Sequence, residues 1–410
     1  MSLIVQKYGG TSVGDPSRIL RVAGRIAETR RAGHDVIVVV SAMGKTTDDL
    51  IALASEINPI PPAREMDMLL TAGERIAMAL LAMALDNEGI EAVSLTGSQA
   101  GILTDDSHGS AKIQEIRGDR IRTNLDEGKV VIVAGFQGVS PETKEVTTLG
   151  RGGSDATAVA LAAAHGADVC EIITDVDGVY TADPRLVPTA RKLDEISFEE
   201  MLELAASGAG VLMGRSVEFG RRFNVPIHVR SSFHTNPGTW VKEKTMEQAI
   251  VSGVAHDSSE AKITVQNVPD KPGVAATLFE RLAVDGVNID MIVQNVSSAG
   301  ETDISFTVPR QHAVRAKETA SAVAVSLGAG DVDVDENIAK VSLVGAGMKS
   351  EGGIAARVFR ALADQRINIE MISTSTIRIS CVVQEAQVKA AVSALVDEFE
   401  LHEISEEVGV

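Results

Sequence analysis

One stretch of sequence occurs twice near the C-terminus, and this repeat limits the possible folds more than any other feature. Residues 262–292 read KITVQNVPDKPGVAATLFERLAVDGVNIDMI, and residues 340–372 read KVSLVGAGMKSEGGIAARVFRALADQRINIEMI. Gly273 aligns with Gly353, Phe279 with Phe359 and Asn288 with Asn368, each pair 80 residues apart, with a two-residue insertion before the paired glycines. Each copy reads as a strand, a glycine-containing turn, an amphipathic helix and a second strand opening Asn-Ile-Asp/Glu-Met-Ile. The pattern implies a duplicated α+β module of about 70 residues. A purely structural or dimerisation role for the pair stays open at this level.

Upstream of Asn236-Pro237-Gly238-Thr239 the texture differs. Short Val- and Ile-rich runs at residues 3–6, 36–41, 92–95, 130–134, 170–174 and 227–229 read as buried strands. Between them, residues 16–32, 63–88, 155–165 and 197–223 carry apolar side chains at helical spacing. Alternating strands and helices imply an α/β domain with a mostly parallel sheet covered on both faces. Ligands of such sheets bind beyond the carboxyl ends of the strands, so the loops after strands are where chemistry belongs.

Composition narrows the function. A formal net charge of −19 and only 9 Phe, 2 Tyr and 1 Trp in 410 residues argue against a nucleic-acid partner. Cys170 and Cys381 are the two cysteines; they match no metal spacing and suit a reducing compartment. The 8 histidines form no HxxxH or HExxH pair, so no metal ligands are assigned. MSLIVQKYGG has no signal-peptide pattern, and the longest apolar runs, residues 76–85 and 36–40, fall short of the roughly 18–20 residues that span a bilayer. The expectation is a cytoplasmic protein with no membrane contact.

Two apparent phosphate motifs fail. Gly44-Lys45-Thr46 lacks the glycine a P-loop needs at position 39, which is Val. Gly208, Gly210 and Gly214 miss the GxGxxG spacing by one residue and follow a helical pattern. Lys7-Tyr8-Gly9-Gly10-Thr11-Ser12 fits better: it follows a strand and leads to a helix. Its glycines let the backbone approach a phosphate, and Lys7 adds a full positive charge. Thr147-Thr148-Leu149-Gly150-Arg151-Gly152-Gly153-Ser154-Asp155 places a guanidinium between glycines, a clamp suited to a carboxylate, with Ser154 or Asp155 able to cap the next helix. Thr174-Asp175-Val176-Asp177-Gly178 through Arg185 puts polar residues after a buried strand, where a nucleotide or Mg²⁺ could sit. Glu74 is an acid among apolar helical residues, either a solvated charge or a partner for an ammonium group.

Together KYGGTSV, SAMGKTTDDL, LLTAGERI, TTLGRGGSDATA and TDVDGVYTADPR stand in one order that resembles the aspartate kinases of the amino-acid kinase superfamily. The repeated modules resemble ACT domains, and the layout is most similar to the lysine- and threonine-sensitive actinobacterial type. The resemblance implies a three-layer αβα kinase domain at residues 1–245, then ferredoxin-like ACT domains at 262–335 and 336–410, with the strand near 250–256 joining the second. It implies transfer of the ATP γ-phosphate to the side-chain carboxylate of L-aspartate, with Mg²⁺. The product, 4-phospho-L-aspartate, opens lysine, threonine and methionine synthesis. It implies further that lysine and threonine inhibit through the ACT pair. The resemblance implies an assembly that is a homo-oligomer, or an α₂β₂ complex with a shorter chain started internally, for which Met246 is available.

By the same resemblance Lys7, Glu74 and Asp155 are catalytic, with Asp155 orienting the lysine or the metal. Lys7, Tyr8, Gly9, Gly10, Ser41, Ser154, Thr174, Asp175, Tyr180, Asp183, Arg185 and Gly210 serve the nucleotide. Thr47, Glu74, Arg151, Gly152, Gly153 and Ser154 hold the substrate, Glu74 near its ammonium and Arg151 on its α-carboxylate. Asp270, Gly273, Val274, Ala275, Asn288, Ile289 and Gln294 form one effector half-site; Gly353, Ile354, Ala355, Asn368, Ile369, Thr374 and Ser375 form the other. In each, turn N–H groups are expected to take the effector's carboxylate and an Asp or Glu of the half-site (Asp270 or Asp290, Glu351 or Glu370) its ammonium. Relatives usually carry a lysine where this chain has Gly210, a departure that lowers the expected rate. A related kinase acting on glutamate, or a silent amino-acid sensor, stays open.

Overall fold

The computed structural model describes residues 2–243, 250–295, 300–349 and 351–403; Met246 lies outside them. The chain divides into two compact units. The first comprises residues 1–179, 192–205 and 210–246; the second comprises 180–191, 206–209 and 247–410.

The first unit is built on an eight-stranded sheet. Its order is Glu195–Ser197, Thr239–Lys242, Ile227–Ser231, Val169–Thr174, Leu3–Tyr8, Asp35–Val40, Val130–Ala134, Ala92–Leu95. From Ile227–Ser231 to Ala92–Leu95 every pairing is parallel, and Thr239–Lys242 turns back antiparallel on Ile227–Ser231. The central strands, DVIVVV and VVIVA, are apolar without alternation because helices cover both faces. Asp15 caps the helix Pro16–Arg31 by accepting from the Arg18 N–H at 2.9 Å, and Pro16 fits its first turn.

The helix Ala63–Asn87 is long and apolar enough to cross a membrane by length and composition. Here Ala77, Met78, Leu81, Ala84 and Leu85 bury its inner face in the sheet's core, each large side chain contributing about 2 kcal/mol. The expected helix over 197–223 is two helices, Phe198–Ala206 and Gly214–Phe223, separated by a glycine-containing loop. A four-stranded sheet not expected from sequence runs Ile113–Ile116, Ile102–Thr104, Gln137–Val139, Val146–Thr148. Its last strand delivers the chain to Arg151.

In the second unit each repeat is a four-stranded antiparallel sheet with two helices. The first has the strands Glu260–Pro269, Ile292–Gln294, Glu301–Pro309 and Val332–Asp335 with helices Val274–Val284 and Ala313–Leu327. The second has Ile338–Val344, Met371–Thr374 and Arg378–Gln384 with helices Ile354–Asp364 and Val388–Glu398, and Gly253–Asp257 pairs on the edge of Ile338–Val344. The paired glycines Gly273 and Gly353 both precede a helix at positive φ, +95° and +88°. Residues 180–191 belong to this unit rather than to the kinase sheet, because Ala182, Val187 and Ala190 bury in the second module's core and Thr181 Oγ1 donates to Leu401 O at 2.6 Å.

The modules are joined by a reciprocal exchange of ion pairs. Lys262 of the first bonds Glu370 of the second, while Lys340 of the second bonds Asp290 and, at 2.8 Å, Glu260 of the first. Met291, Ile338, Met371 and Val382 pack between them.

Candidate active site

The carboxyl ends of Leu3–Tyr8, Asp35–Val40 and Val169–Thr174 open on a cleft of about 730 Å³. Lys7, Gly10, Ser41, Thr47, Glu74, Arg151, Gly152, Gly153, Ser154, Asp155, Thr174 and Gly210 all line it. Residues as far apart in sequence as Lys7 and Thr174 are thus gathered by the parallel crossovers.

Lys7 Nζ lies 2.7 Å from Asp155 Oδ1, and both side chains are about nine-tenths buried. Glu74 is 3% exposed; its Oε1 accepts the Ala42 N–H at 3.1 Å, while Oε2 has no partner. Burial without a compensating cation pushes the Glu74 carboxyl up to about 7. Arg151 is exposed at the rim between Gly150 and Gly152. At Gly152, φ +69°, a Cβ would fall 1.8 Å from Met213 Cγ, so only glycine lets the arginine loop pass there. The helix Gly153–His165 starts with no side-chain cap, so neither Ser154 nor Asp155 does the capping expected of it. Its positive end faces the cleft instead.

Other expected residues are placed differently. Tyr8 points away from the cleft, since alternation along a strand sets it opposite Lys7. Its hydroxyl donates to Gln6 Oε1 at 3.2 Å beside a separate cavity of about 540 Å³, and burial raises its phenol. The Gly9 N–H donates to Ile173 O at 3.2 Å and so is not free for a phosphate. Asp175 is exposed and accepts from Thr174 Oγ1 at 3.2 Å. Tyr180, Asp183 and Arg185 fall in the second unit. There Arg185 bonds Asp183 at 2.7 Å and holds its carboxyl below the usual range.

In the repeats, Val274, Ala275 and Ile289 pack on the first module's core, and Ile354, Ala355 and Ile369 belong to or pack on that of the second. Asp270, Gly273, Asn288 and Gln294 are exposed, as are Gly353, Asn368, Thr374 and Ser375. Of the acids in the two half-sites, Asp290 and Glu370 already pair with the other module's lysines.

Three contributors escaped the sequence reading. Asp67, 1% exposed, lines the cleft one helical face away from solvent. Phe136 lines it at φ +69°, a backbone conformation costing about 1 kcal/mol or more in a bulky residue. Arg215 donates to Leu149 O at 3.2 Å and Ala111 O at 3.0 Å, bracing the arginine loop, and burial lowers its guanidinium below the ordinary value.

A cleft with a buried lysine–carboxylate pair, an uncapped helix start and an exposed arginine is equipped for anionic substrates. The sequence profile of the amino acid kinase family matches residues 2–231, and that of the ACT domain matches 255–322 and 341–399. The aspartokinase of Mycolicibacterium smegmatis is 59% identical over 407 residues, spanning 98% of this chain and 97% of that one. The chain belongs to the aspartokinase family. As a member of that family it is an enzyme, an aspartate kinase. The structure of E. coli aspartokinase III in complex with aspartate and ADP (R-state) matches with a TM-score of 0.82 at 26% identity, covering 97% of this chain and 99% of that one. The E. coli aspartokinase III with lysine and aspartate (T-state) matches at 0.74, again at 26% identity and with the same coverage.

Proposed function

We propose that the cleft transfers the γ-phosphoryl group of ATP to the side-chain carboxylate of L-aspartate, releasing ADP and 4-phospho-L-aspartate. A carboxylate oxygen attacks phosphorus, the bond to the bridging oxygen of ADP breaks, and no proton has to be removed because the nucleophile is ionised near neutrality. The observation that carries this reading is the unpartnered, buried Glu74 Oε2, a carboxylate in want of a cation in the same cleft as Arg151 and Lys7. The substrate's ammonium supplies that cation, and Arg151 takes the α-carboxylate.

Lys7, held by Asp155, neutralises charge on the transferring group, assisted by the positive helix end at Gly153. Ser41, Gly10 and Thr174 complete the nucleotide side, and Thr47, Gly152, Gly153 and Ser154 the substrate side. Among the described residues no three His, Cys, Asp or Glu side chains form a metal cluster. Asp155, beside Lys7, is the residue that would help hold Mg²⁺ brought by the nucleotide. When bound, the ion neutralises phosphate charge. Tyr180, Asp183 and Arg185 remain proposed nucleotide contacts.

The reaction belongs to the start of lysine, threonine and methionine synthesis in the cytoplasm. The ACT modules bind lysine and threonine as feedback inhibitors. Support comes from the lysine-bound T-state relative and from the exposure of Asp270, Asn288, Asn368 and Thr374 in the repeats. The assembly is oligomeric, as a homo-oligomer or with a shorter chain started at Met246.

The test is ATP consumption by the purified chain with Mg²⁺ and aspartate or glutamate, the acyl phosphate being trapped with hydroxylamine. Lysine and threonine are added singly and together. Aspartate-dependent turnover suppressed by the amino acids is the expected result. Equal turnover of glutamate, or indifference to both effectors, would contradict it.

A further inference from the structure

Asp67 is the most completely buried carboxylate in the cleft wall, and nothing in the phosphoryl-transfer scheme uses it. It sits two turns before Glu74 on the same face of Ala63–Asn87. Its Oδ1 accepts from Thr148 Oγ1 at 2.5 Å and from the Gly109 N–H at 3.1 Å, and its Oδ2 lies 2.6 Å from His108 Nδ1. The Ala111 N–H donates to Thr148 O at 2.9 Å, and the Gly109 carbonyl lies 3.0 Å from where a Cβ on Gly150 would stand. One carboxylate therefore ties three pieces of chain together: the helix bearing Glu74, the 108–111 loop, and the strand end that leads within three residues to Arg151.

A buried charge is costly to desolvate, and these contacts repay it only in one geometry. A solvated helix acid would do for folding. Building a buried one at this position fixes the separation between the group proposed for the substrate's ammonium and the group proposed for its α-carboxylate.

We infer that Asp67, with His108 and Thr148, is a positioning unit that sets the Glu74-to-Arg151 span and thereby the grip on the substrate's α-ammonium and α-carboxylate. This rests on the proposed roles of Glu74 and Arg151. Asp67 itself needs no contact with substrate. A span held rigid grips both charged groups of the substrate's α-carbon at once; a loosened one grips them less well.

The test compares Asp67→Asn, His108→Ala and Arg151→Gln with the wild-type enzyme, each assayed for the KM of aspartate, the KM of ATP and kcat. His108 does not line the cleft, so His108→Ala keeps the test open if Asp67→Asn folds poorly. The expected result is an aspartate KM raised about tenfold or more in Asp67→Asn and about threefold in His108→Ala, with the ATP KM unchanged. General loosening would move both KM values together, and that outcome overturns the inference. So does an unchanged aspartate KM in His108→Ala and Asp67→Asn while Arg151→Gln raises it. An unchanged aspartate KM in Arg151→Gln would instead remove the substrate assignment, and the inference with it.

Discussion

Lys7 Nζ and Asp155 Oδ1 stand 2.7 Å apart, joining the end of the first strand to the first turn of the helix Gly153–His165. The pair places a cation where the sheet, the glycine loop and the helix dipole converge. Both side chains are nearly dry, so neither is replaceable by a solvated neighbour. Lys7→Met is expected to lower kcat by about 10²–10³ or more, with a smaller change in aspartate KM. It also strands Asp155, so thermal unfolding should register a loss of about 3 kcal/mol that Lys7→Met with Asp155→Asn partly recovers. A Lys7→Met enzyme of normal kcat would remove the lysine from the mechanism.

Glu74 gives a pH prediction. Its folded-state pKa is raised to about 7 by burial, so between its unfolded value and 7 the folded chain holds a proton that the unfolded chain has lost. Stability is therefore greatest below the unfolded value and falls as pH rises towards 7, by on the order of 3 kcal/mol. Glu74→Gln should be more stable than wild type at pH 8 and nearly equal to it at pH 4. The same titration governs binding: aspartate KM should fall as pH rises through about 7, and Glu74→Gln should lose that dependence. Denaturant melts and KM profiles check the two halves independently.

Gly210 lines the cleft, and nothing lies within 4 Å of where its Cβ would stand. A longer side chain is accommodated without moving backbone. Gly210→Lys should therefore fold normally and lower the KM of ATP by about tenfold, the value of one charge-assisted contact of about 1.5 kcal/mol. An unchanged ATP KM would show that Lys7 and the helix end already neutralise the phosphates.

The exchanged pairs of the second unit are unequal. Lys340 is 2% exposed in its side chain and Lys262 22%. Burial works against the Lys340 charge, but Glu260 and Asp290 beside it outweigh that and hold its pKa above the ordinary value. Lys340→Met leaves two acids uncompensated and should cost about 3–5 kcal/mol in a denaturant melt. Lys262→Met should cost visibly less. Equal losses would mean that the modules do not depend on the buried side of the exchange.

Much of this was legible before the structure. Lys7, Arg151 and Asp155 stand at glycine-rich loops placed after apolar runs, because a parallel sheet leaves few other places for such loops to go. Glu74 stands out only as an acid among apolar helical residues and takes its role from the family resemblance. Tyr8 was misplaced by following its neighbours instead of the two-residue alternation of a strand. The small sheet ending at Thr148 went unseen because strands of three or four residues carry no measurable period. Asp67, between Met66 and Met68 in a helix, reads like any solvated acid; its burial depends on Gly109 and Thr148, 42 and 81 residues away. Residues 180–191 bury only three apolar side chains, Ala182, Val187 and Ala190, too few to announce which unit they join.

The most direct test of the proposed chemistry follows the oxygen. Aspartate labelled with ¹⁸O in its side-chain carboxylate is incubated with the enzyme, ATP and Mg²⁺, and the acyl phosphate is observed by ³¹P NMR. The account predicts a single new phosphorus signal carrying the isotope shift of one bridging ¹⁸O, absent when Lys7→Met replaces the wild-type enzyme. A phosphorus product without the shift, or ATP hydrolysed to unlabelled phosphate alone, would contradict it.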